Sequence, residues 1–351
     1  MTRLTHEQVL ISTGTRSGLP VIVAVHSTAL GQAVGGCRLW RYDDWRDGLE
    51  DALRLSEAMT LKCALAGLPL GGGKSVLPVP AALELTSELR RALLLDLGDQ
   101  VDSLEGRYGV GEDVGTSAED LAVVSERTRF AYGLPEATGG MGEPSAPTAI
   151  GVYESICVTA AQVWGTADLA GRRVTIIGMG NVGSRLAAHL REAGATLAVT
   201  DLSPAKRETA SALGAEWLAP LEALSAETDL IVPAALGGLL TPETVATLRC
   251  RAVVGPANNQ LSEDSVAELL ADREILWAPD FLVNAGGVVY GFEMEMGSKS
   301  QAMAMARVGA IAETLRDVFS RARREQITPL AAAKGVAEDR LAAARTTKRV
   351  C

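Results

Sequence analysis

Val174-Thr-Ile-Ile-Gly-Met-Gly-Asn-Val-Gly-Ser-Arg-Leu-Ala-Ala-His-Leu-Arg-Glu192 carries an apolar, β-branched run into three spaced glycines and out into a helix-forming segment. A lone G-x-G-x-x-G says little. Here Gly178, Gly180 and Gly183, with Asn181 and Val182 between them, have a strand before and a helix after. A second apolar run, Leu197–Thr200, then ends in Asp201, 23 residues beyond Gly178. Gly178 permits the tight turn, Gly180 lets backbone approach a pyrophosphate, and Gly183 lets helix and strand pack closely. The helix N-terminus offers free N–H groups and partial positive charge to the phosphates. The context reads as a Rossmann dinucleotide site rather than a glycine turn that binds nothing. Asp201 is placed to accept from the adenosine ribose hydroxyls and to repel a 2′-phosphate, which favours NAD over NADP; Lys206 and Arg207 lie close enough in sequence to soften that repulsion.

Outward from this segment the chain alternates short apolar runs with helical ones. After Val174–Ile177 and Leu197–Thr200 come Leu230–Val232, Ala252–Val254 and Ile275–Trp277, the pattern of a parallel, doubly wound sheet. An amphipathic helix is expected around 299–324, burying Ile311, Leu315, Val318, Phe319 and Ala322. Upstream, Val21–Val25 reads as a buried strand. A helix is expected from Trp45, with Leu49, Ala52, Leu55, Ala58 and Met59 recurring at helical spacing. Gly67–Ser75 is too rich in Gly and Pro to continue it and reads as a loop. A Gly/Pro/Ser-rich stretch, residues 139–147, reads as a linker. The reading is an α/β chain of two domains: residues 1–135, joined by a C-terminal helical segment of about 326–351, and a Rossmann domain over 140–325.

With 351 residues, 47% of them apolar, the chain can bury real cores. Its 33 Lys+Arg against 43 Asp+Glu give a net charge of −10, and no long basic run exists, which argues against nucleic acid or an anionic membrane as partner. No apolar stretch approaches the ~20 residues of a membrane span. The segment Met1–Glu7 has no apolar core of a signal peptide, so a cytoplasmic protein is expected. The five cysteines form no C-x-x-C pair and the three histidines have no ligand spacing, so no metal site is expected.

The first domain holds a denser oddity. Lys62 ends an otherwise apolar helix face, and Lys74 follows three consecutive glycines. A single lysine is more often a solvated surface charge, but these two have buried-looking or backbone-crowded settings. Gly73-Lys74-Ser75 ends like a Walker A loop, yet Leu68 stands where that pattern needs its first glycine. Asp113 sits in a second glycine-punctuated turn, Gly111–Thr116, where turn capping is the competing role. Beside a nicotinamide, one lysine can pin a substrate carboxylate. The other, desolvated and near a second cation, can act as a base, while the aspartate passes protons to an amino group.

From about His6 to Arg345 the chain resembles the glutamate/leucine/phenylalanine/valine dehydrogenase superfamily, closest to its leucine, valine, phenylalanine and tryptophan branch. The resemblance is carried by Val34-Gly-Gly-Cys-Arg38, Met59-Thr-Leu-Lys62, Leu68–Lys74, Gly111–Thr116, Gly178–Gly183, Ala235-Leu-Gly-Gly238, Ala257-Asn-Asn-Gln-Leu261 and Ala278–Gly287, in that order. It implies reversible, NAD-dependent oxidative deamination of an L-amino acid to a 2-oxo acid and ammonium by a homo-oligomer. It also implies a mixed-sheet first domain completed by the C-terminal segment, with the site in a cleft beside the Rossmann domain. Residue by residue, it gives Lys62 the substrate carboxylate with help from Gly36 backbone, Lys74 the role of base activating water, and Asp113 that of proton shuttle. Asn259 would hold the amino group or carboxylate. Thr148 and the Ala234-Ala235-Leu236 loop would line the nicotinamide, followed by Ala257. Asn258 and Asn284 would fix its ribose or carboxamide.

Pocket positions separate the substrates. Glutamate-specific relatives place a lysine where this chain has Val34, so a second carboxylate would be buried unpaired at a cost of several kcal/mol. Gly111 replaces an alanine of leucine-type relatives, and Gly291, near Val288, aligns with a valine; both changes enlarge the pocket toward an aromatic, Phe- or Trp-like side chain. Tyr290 or Phe292 could fill that space, and leucine or valine is the alternative. Two further readings stand against these. A non-catalytic NAD-binding regulator would have no reason to keep Lys62, Lys74 and Asp113 together. A 2-hydroxy-acid dehydrogenase would need a well-placed histidine, which neither His26 nor His189 provides.

Overall fold

The computed structural model describes residues 5–350 apart from Gly139 and Leu236. By contact the chain divides into two compact units, one of Met1–Glu143, Met294–Lys299 and Ala337–Cys351, the other of Pro144–Glu293 and Ser300–Val336.

In the first unit, β1 (Gln8–Thr13), β2 (Pro20–Ser27), β3 (Ala33–Tyr42), β4 (Gly71–Pro80) and β5 (Tyr108–Glu112) form a mixed sheet ordered β1-β2-β4-β3-β5. β2 is antiparallel to β1 and β4, whereas β3 is parallel to β4 and β5. Both faces are covered, which is why Val21–Val25 reads as an unbroken apolar run. Val21, Val23 and Val25 point into a core shared with Leu93, Leu94 and Leu97 of α2 (Ser87–Asp102) and Leu121 and Val124 of α3 (Ala118–Ser125). Ile22 and Ala24 face the other way, with Val76, toward Ala52 of α1 (Trp45–Leu65).

Two expectations change here. Of the anticipated α1 stripe, Ala52 and Leu55 are buried, but Leu49, Ala58 and Met59 are only half-buried. The closest approach runs instead along Gly48, Ala52, Ser56 and Thr60, a ridge of small residues at four-residue spacing. The expected Gly67–Ser75 loop is in fact strand from Gly71 onward. A Cβ on Gly72 would lie 2.1 Å from the Thr60 amide nitrogen, and one on Gly71 would lie 1.9 Å from the Ser27 carbonyl oxygen. These glycines are therefore the space that lets a helix and a neighbouring strand close on a central strand.

The second unit opens with α4 (Ser145–Trp164). It then alternates β6 (Arg173–Ile177), α5 (Asn181–Glu192), β7 (Thr196–Thr200), α6 (Lys206–Ala212), β8 (Glu216–Trp217), α7 (Pro220–Ser225), β9 (Leu230–Pro233), α8 (Pro242–Thr247), β10 (Ala252–Val253), α9 (Val266–Asp272) and β11 (Leu276–Trp277). The sheet is parallel throughout, ordered β11-β10-β9-β6-β7-β8. The five anticipated strands are present. Two-residue β8 at the edge is additional, too short for any periodicity to announce it. The order reverses between β6 and β9, so the loops leaving those two strands flank the switch point where ligands bind in such sheets. α10 (Asp280–Val283), α11 (Gly286–Gly291), a π-turn at Phe292–Met296 and α12 (Gln301–Glu325) follow, and α12 buries all five expected positions. Within the last helix, α13 (Pro329–Val350), Arg340 donates to the Ala64 and Leu65 carbonyls at 2.8 and 2.6 Å, satisfying the end of α1.

Gly72→Ala should therefore destabilise the protein by about 3 kcal/mol, at the upper end of overpacking costs. Urea unfolding checks this as a lowered midpoint.

Candidate functional site

The sheet register gathers the charged residues of the first unit. Val34 pairs with Gly72 and Cys37 with Ser75, so Gly36 stands level with Lys74; on the other side Gly36 pairs with Gly111. Asp113 follows just past the end of β5. A Cβ on Gly36 would sit 2.7 Å from the Asp113 Cβ and 2.3 Å from the Glu112 carbonyl oxygen, so only glycine lets Asp113 turn in beside β3. The turn is capped by Thr116, whose Oγ1 donates to the Cys37 carbonyl at 2.8 Å and accepts from the Asp113 amide at 3.0 Å. Thr116 thus caps the turn, and the Asp113 carboxylate, besides accepting from the Val114 amide, makes ion pairs. Its Oδ2 takes Lys74 Nζ at 2.8 Å and Arg38 Nε at 3.1 Å.

Lys74 is not a surface charge, its side chain being only 6% exposed. Burial draws its ammonium below the ordinary lysine value, against the pull of Asp113, and Arg38 adds to the lowering. Burial works to raise Asp113, but Lys74 and then Arg38 outweigh it and hold the carboxyl below the usual carboxylate range. The result is an ionised aspartate against a lysine prepared to give up its proton. Lys62 lies half-buried in the last turn of α1. Val34 is 7% exposed, and the space above Gly111 is open, the nearest atom to an added Cβ being the Tyr132 carbonyl oxygen at 4.0 Å.

The second unit forms the dinucleotide cradle. A Cβ on Gly183 would meet the Gly178 carbonyl oxygen at 2.1 Å, and one on Gly178 would meet Ala234 and Ala235 backbone at 2.8 Å. These two glycines serve packing. Gly180 has nothing within 4 Å of its missing Cβ, so it faces open space. The amides of Asn181, Val182 and Gly183 precede the first intrahelical bond, Ser184 N–H to Gly180. Asp201 Oδ2 accepts from the Met179 amide at 2.7 Å and Oδ1 from Ser203 at 2.8 Å, which fixes the carboxylate beside the glycine turn with lone pairs to spare. Arg207 lies over the Trp217 ring at 5.1 Å.

Farther along the same sheet edge, Asn284 donates to Asn258 Oδ1 at 2.8 Å and to the Pro256 carbonyl at 3.2 Å, while its own Oδ1 is buried without a hydrogen-bond partner. Such an orphan acceptor suits an amide N–H of a ligand and fits a nicotinamide carboxamide. Cβ atoms on Gly286 and Gly287 would meet Thr148 at 2.9 and 3.0 Å, which places Thr148 against the segment that follows Asn284. Ala257 is buried, its amide donating to Pro233. Asn259 is exposed with φ +52°, its carbonyl accepting from the Gly238 amide. Val288 and Gly291 lie on α11. Leu236 is outside the described residues. The structure thus brings together Lys74, Asp113, Gly36 and Gly111 in one unit. In the other it gathers Gly178, Gly180, Gly183, Asp201, Ala234 and Ala235, and with Asn284 it gathers Asn258 and Thr148.

Sequence reading gave no role to Arg38 or to Gln260, Trp277 and Asp280. Gln260 Nε2 donates to the Gly255 and Ala257 carbonyls, its Oε1 accepts from Trp277 Nε1 at 3.0 Å, and its amide donates to Asp280 at 2.9 Å. That buried network shapes the Pro256–Asn259 loop. Phe292, a candidate to fill the pocket, lies under Arg307 at 5.6 Å, and Arg307 also pairs with Glu293 at 2.9 Å. Among the described residues no His, Cys, Asp and Glu cluster could hold a metal.

Residues 5–130 match the family model described as the Glu/Leu/Phe/Val dehydrogenase dimerisation domain, and residues 204–348 match Glutamate/Leucine/Phenylalanine/Valine dehydrogenase. Residues 155–249 match the NAD-binding domain of D-isomer specific 2-hydroxyacid dehydrogenases. The chain is 38% identical to a leucine dehydrogenase of Thermoactinomyces intermedius, covering 99% of this chain and 94% of the relative. It is 38% identical to a phenylalanine dehydrogenase of the same organism, over 100% and 95%. A solved L-tryptophan dehydrogenase from Nostoc punctiforme superposes with a TM-score of 0.84 at 34% identity, over 98% of each chain.

Because Gly180 faces open space, Gly180→Ala should leave thermal stability unchanged and weaken dinucleotide binding at least about tenfold, by pushing a methyl into the phosphate position. Calorimetric titration with the cofactor checks this.

Proposed function

The chain belongs to the Glu/Leu/Phe/Val dehydrogenase family, an amino acid dehydrogenase of its leucine, phenylalanine, valine and tryptophan branch, and on that premise we propose that it oxidatively deaminates a bulky hydrophobic L-amino acid, using NAD. The reaction is L-amino acid, NAD+ and water to 2-oxo acid, ammonium, NADH and a proton. The observation that carries the reading is the buried Lys74–Asp113 ion pair at 2.8 Å beside open space at Gly111.

The nicotinamide cofactor supplies the hydride acceptor. Lys62, from the end of α1, holds the substrate carboxylate as a point charge, with the Gly36 backbone beside it. Lys74, its proton loosened by burial, takes a proton from the water that attacks the imino acid carbon. Asp113 carries protons to and from the amino group, which leaves as ammonium. Asn259 is assigned a hold on the amine or carboxylate. Thr148, Ala234, Ala235, Ala257, Asn258 and Asn284 hold the nicotinamide end, with the Asn284 Oδ1 orphan as acceptor for the carboxamide. Asn181 and Val182 amides receive the pyrophosphate, and Asp201 selects NAD by excluding a 2′-phosphate.

The relatives' names span leucine and phenylalanine, so pocket chemistry must arbitrate. Val34 offers no cation for a side-chain carboxylate, which disfavours glutamate. The empty wall at Gly111 suits a large side chain. The match to 2-hydroxyacid dehydrogenases covers only the NAD-binding part. Of the three histidines, His189 sits on α5 against Tyr153, and His6 meets His26 edge to face. Assembly as a homo-oligomer is part of the proposal, supported by the match of residues 5–130 to a dimerisation-domain model.

Assay of NADH formation at alkaline pH against Leu, Val, Phe, Tyr, Trp and Glu tests the reading. The expected result is aromatic turnover above aliphatic, with none on Glu; a Leu or Val maximum would keep the chemistry and sink the pocket argument. Lys74→Ala should lower kcat by more than about a thousandfold with NAD affinity intact, consistent with loss of a general base. Gly111→Ala, which fits without a clash, should shift the Phe-to-Leu ratio of kcat/KM toward Leu by about tenfold.

A further inference from the structure

Arg38 lies two residues beyond Gly36 on β3, on the same face of the sheet. Its Nε donates to Asp113 Oδ2 at 3.1 Å and its Nη1 to Asp51 Oδ2 at 3.0 Å. Asp51 comes from α1 and is held in turn by Tyr42 Oη at 2.8 Å and Arg54 at 2.8 Å. The side chains of Arg38, Asp51 and Asp113 are 20%, 23% and 22% exposed, so the chain of ion pairs is largely shielded. A planar guanidinium with donors on two edges can bridge two carboxylates at once, which an ammonium cannot do with the same fixed geometry. Lys74 and Arg38 both land on Oδ2, so Oδ1 carries neither cation.

We propose that Arg38 is the positioning residue of the Lys74–Asp113 pair: tied to Asp51 at one end and to Asp113 at the other, it fixes where that carboxylate points and keeps a positive charge beside the lysine. This rests on the reading of Lys74 as base and Asp113 as proton carrier. Asp113 alone would favour the ammonium form of Lys74 and so weaken the base. Arg38 opposes that pull and lowers Lys74, while helping to keep Asp113 ionised. The other groups facing the pair are the Cys37 thiol, which burial pushes up to about 12, and the Tyr108 hydroxyl, which burial also raises; both stay neutral where the enzyme works. Lys62 lies on α1, the helix packed against β4. Burial works against ionisation of Asp51, but Arg54, Tyr42 and Arg38 outweigh it, so Asp51 remains a charged anchor.

The test is the pH profile of kcat/KM for deamination in Arg38→Gln, Arg38→Lys and Asp51→Asn, with Lys74→Met as control. Loss of the Arg38 cation favours the protonated lysine, so the rising limb should move up by about one pH unit in Arg38→Gln. Arg38→Lys keeps the charge and should hold the limb near its original position, although kcat falls as Asp113 loses its bridge. Asp51→Asn leaves Arg38 only Asp113 to neutralise it and should move the limb down, which keeps the question open to test if Arg38→Gln fails to fold. Equal rate loss in both Arg38 variants with an unmoved limb, or an unmoved or raised limb in Asp51→Asn, overturns the proposal. A Lys74→Met enzyme that still turned over would remove the base and the proposal with it. A dead Lys74→Met beside an unmoved Arg38→Gln limb would remove the proposal alone.

Discussion

A lysine ammonium on a side chain only 6% exposed is the constraint around which the first unit is built. An isolated buried charge costs many kcal/mol, so Lys74 requires a counter-ion within hydrogen-bond distance. Asp113 meets that need from just past the end of β5, and it reaches Lys74 only because β3 between them carries glycine at position 36. Parallel pairing of β4, β3 and β5 puts residues 74, 36 and 111 on one line across the sheet. The sheet register is therefore also the site's register. A one-residue slip of β5 would move Asp113 off its partner and strand the charge.

The glycines that surround this arrangement divide by what occupies their missing Cβ space. At Gly35, Gly71 and Gly72 that space is already filled by the backbone of a neighbouring element at about 2 Å, so they are packing residues. The dinucleotide motif divides the same way. Gly178 and Gly183 have backbone against them, and Gly180 has nothing. Residue type alone gives no hint of this difference, which is why the run Gly71-Gly-Gly-Lys74 reads as a loop in sequence and is a central strand in fact. The Rossmann glycines were legible because the flanking strand, helix and acid supplied the context that the triple glycine lacks.

Legibility of the site follows a similar line. Lys74 and Asp113 stand out because a charged residue inside an apolar or glycine-crowded setting is chemically odd. Arg38 does not stand out, because an arginine on a strand is ordinary until its two partners are located, and Asp51 lies on another element. Gln260, Trp277 and Asp280 escape for the same reason: their function is the network they form, and sequence shows only its members. The Asn258–Asn284 contact was legible as a pair of candidates, but the orphan oxygen on Asn284 is a property of three-dimensional accounting. β8, two residues long, carries no period to read.

The proposed substrate choice rests on the same economy of side chains. Val34 and Gly111 lie on adjacent strands, one buried and apolar, the other bare. Neither side chain can recognise a polar group, so the proposed pocket wall selects by volume and by desolvation. Volume is a weak discriminator among hydrophobic side chains, since one methylene is worth only about 1–3 kcal/mol. Rejection of a charged side chain is much stronger, because a carboxylate brought to Val34 would lose its hydration and find no cation. On the proposed function, the sharp boundary of specificity falls between hydrophobic and acidic amino acids, and the gradation from leucine to tryptophan is proposed to follow how much of the Gly111 space is filled. It follows from the proposed function that a single methyl at position 111 changes the rank order of hydrophobic substrates without touching the charge relations of Lys74, Asp113 and Arg38.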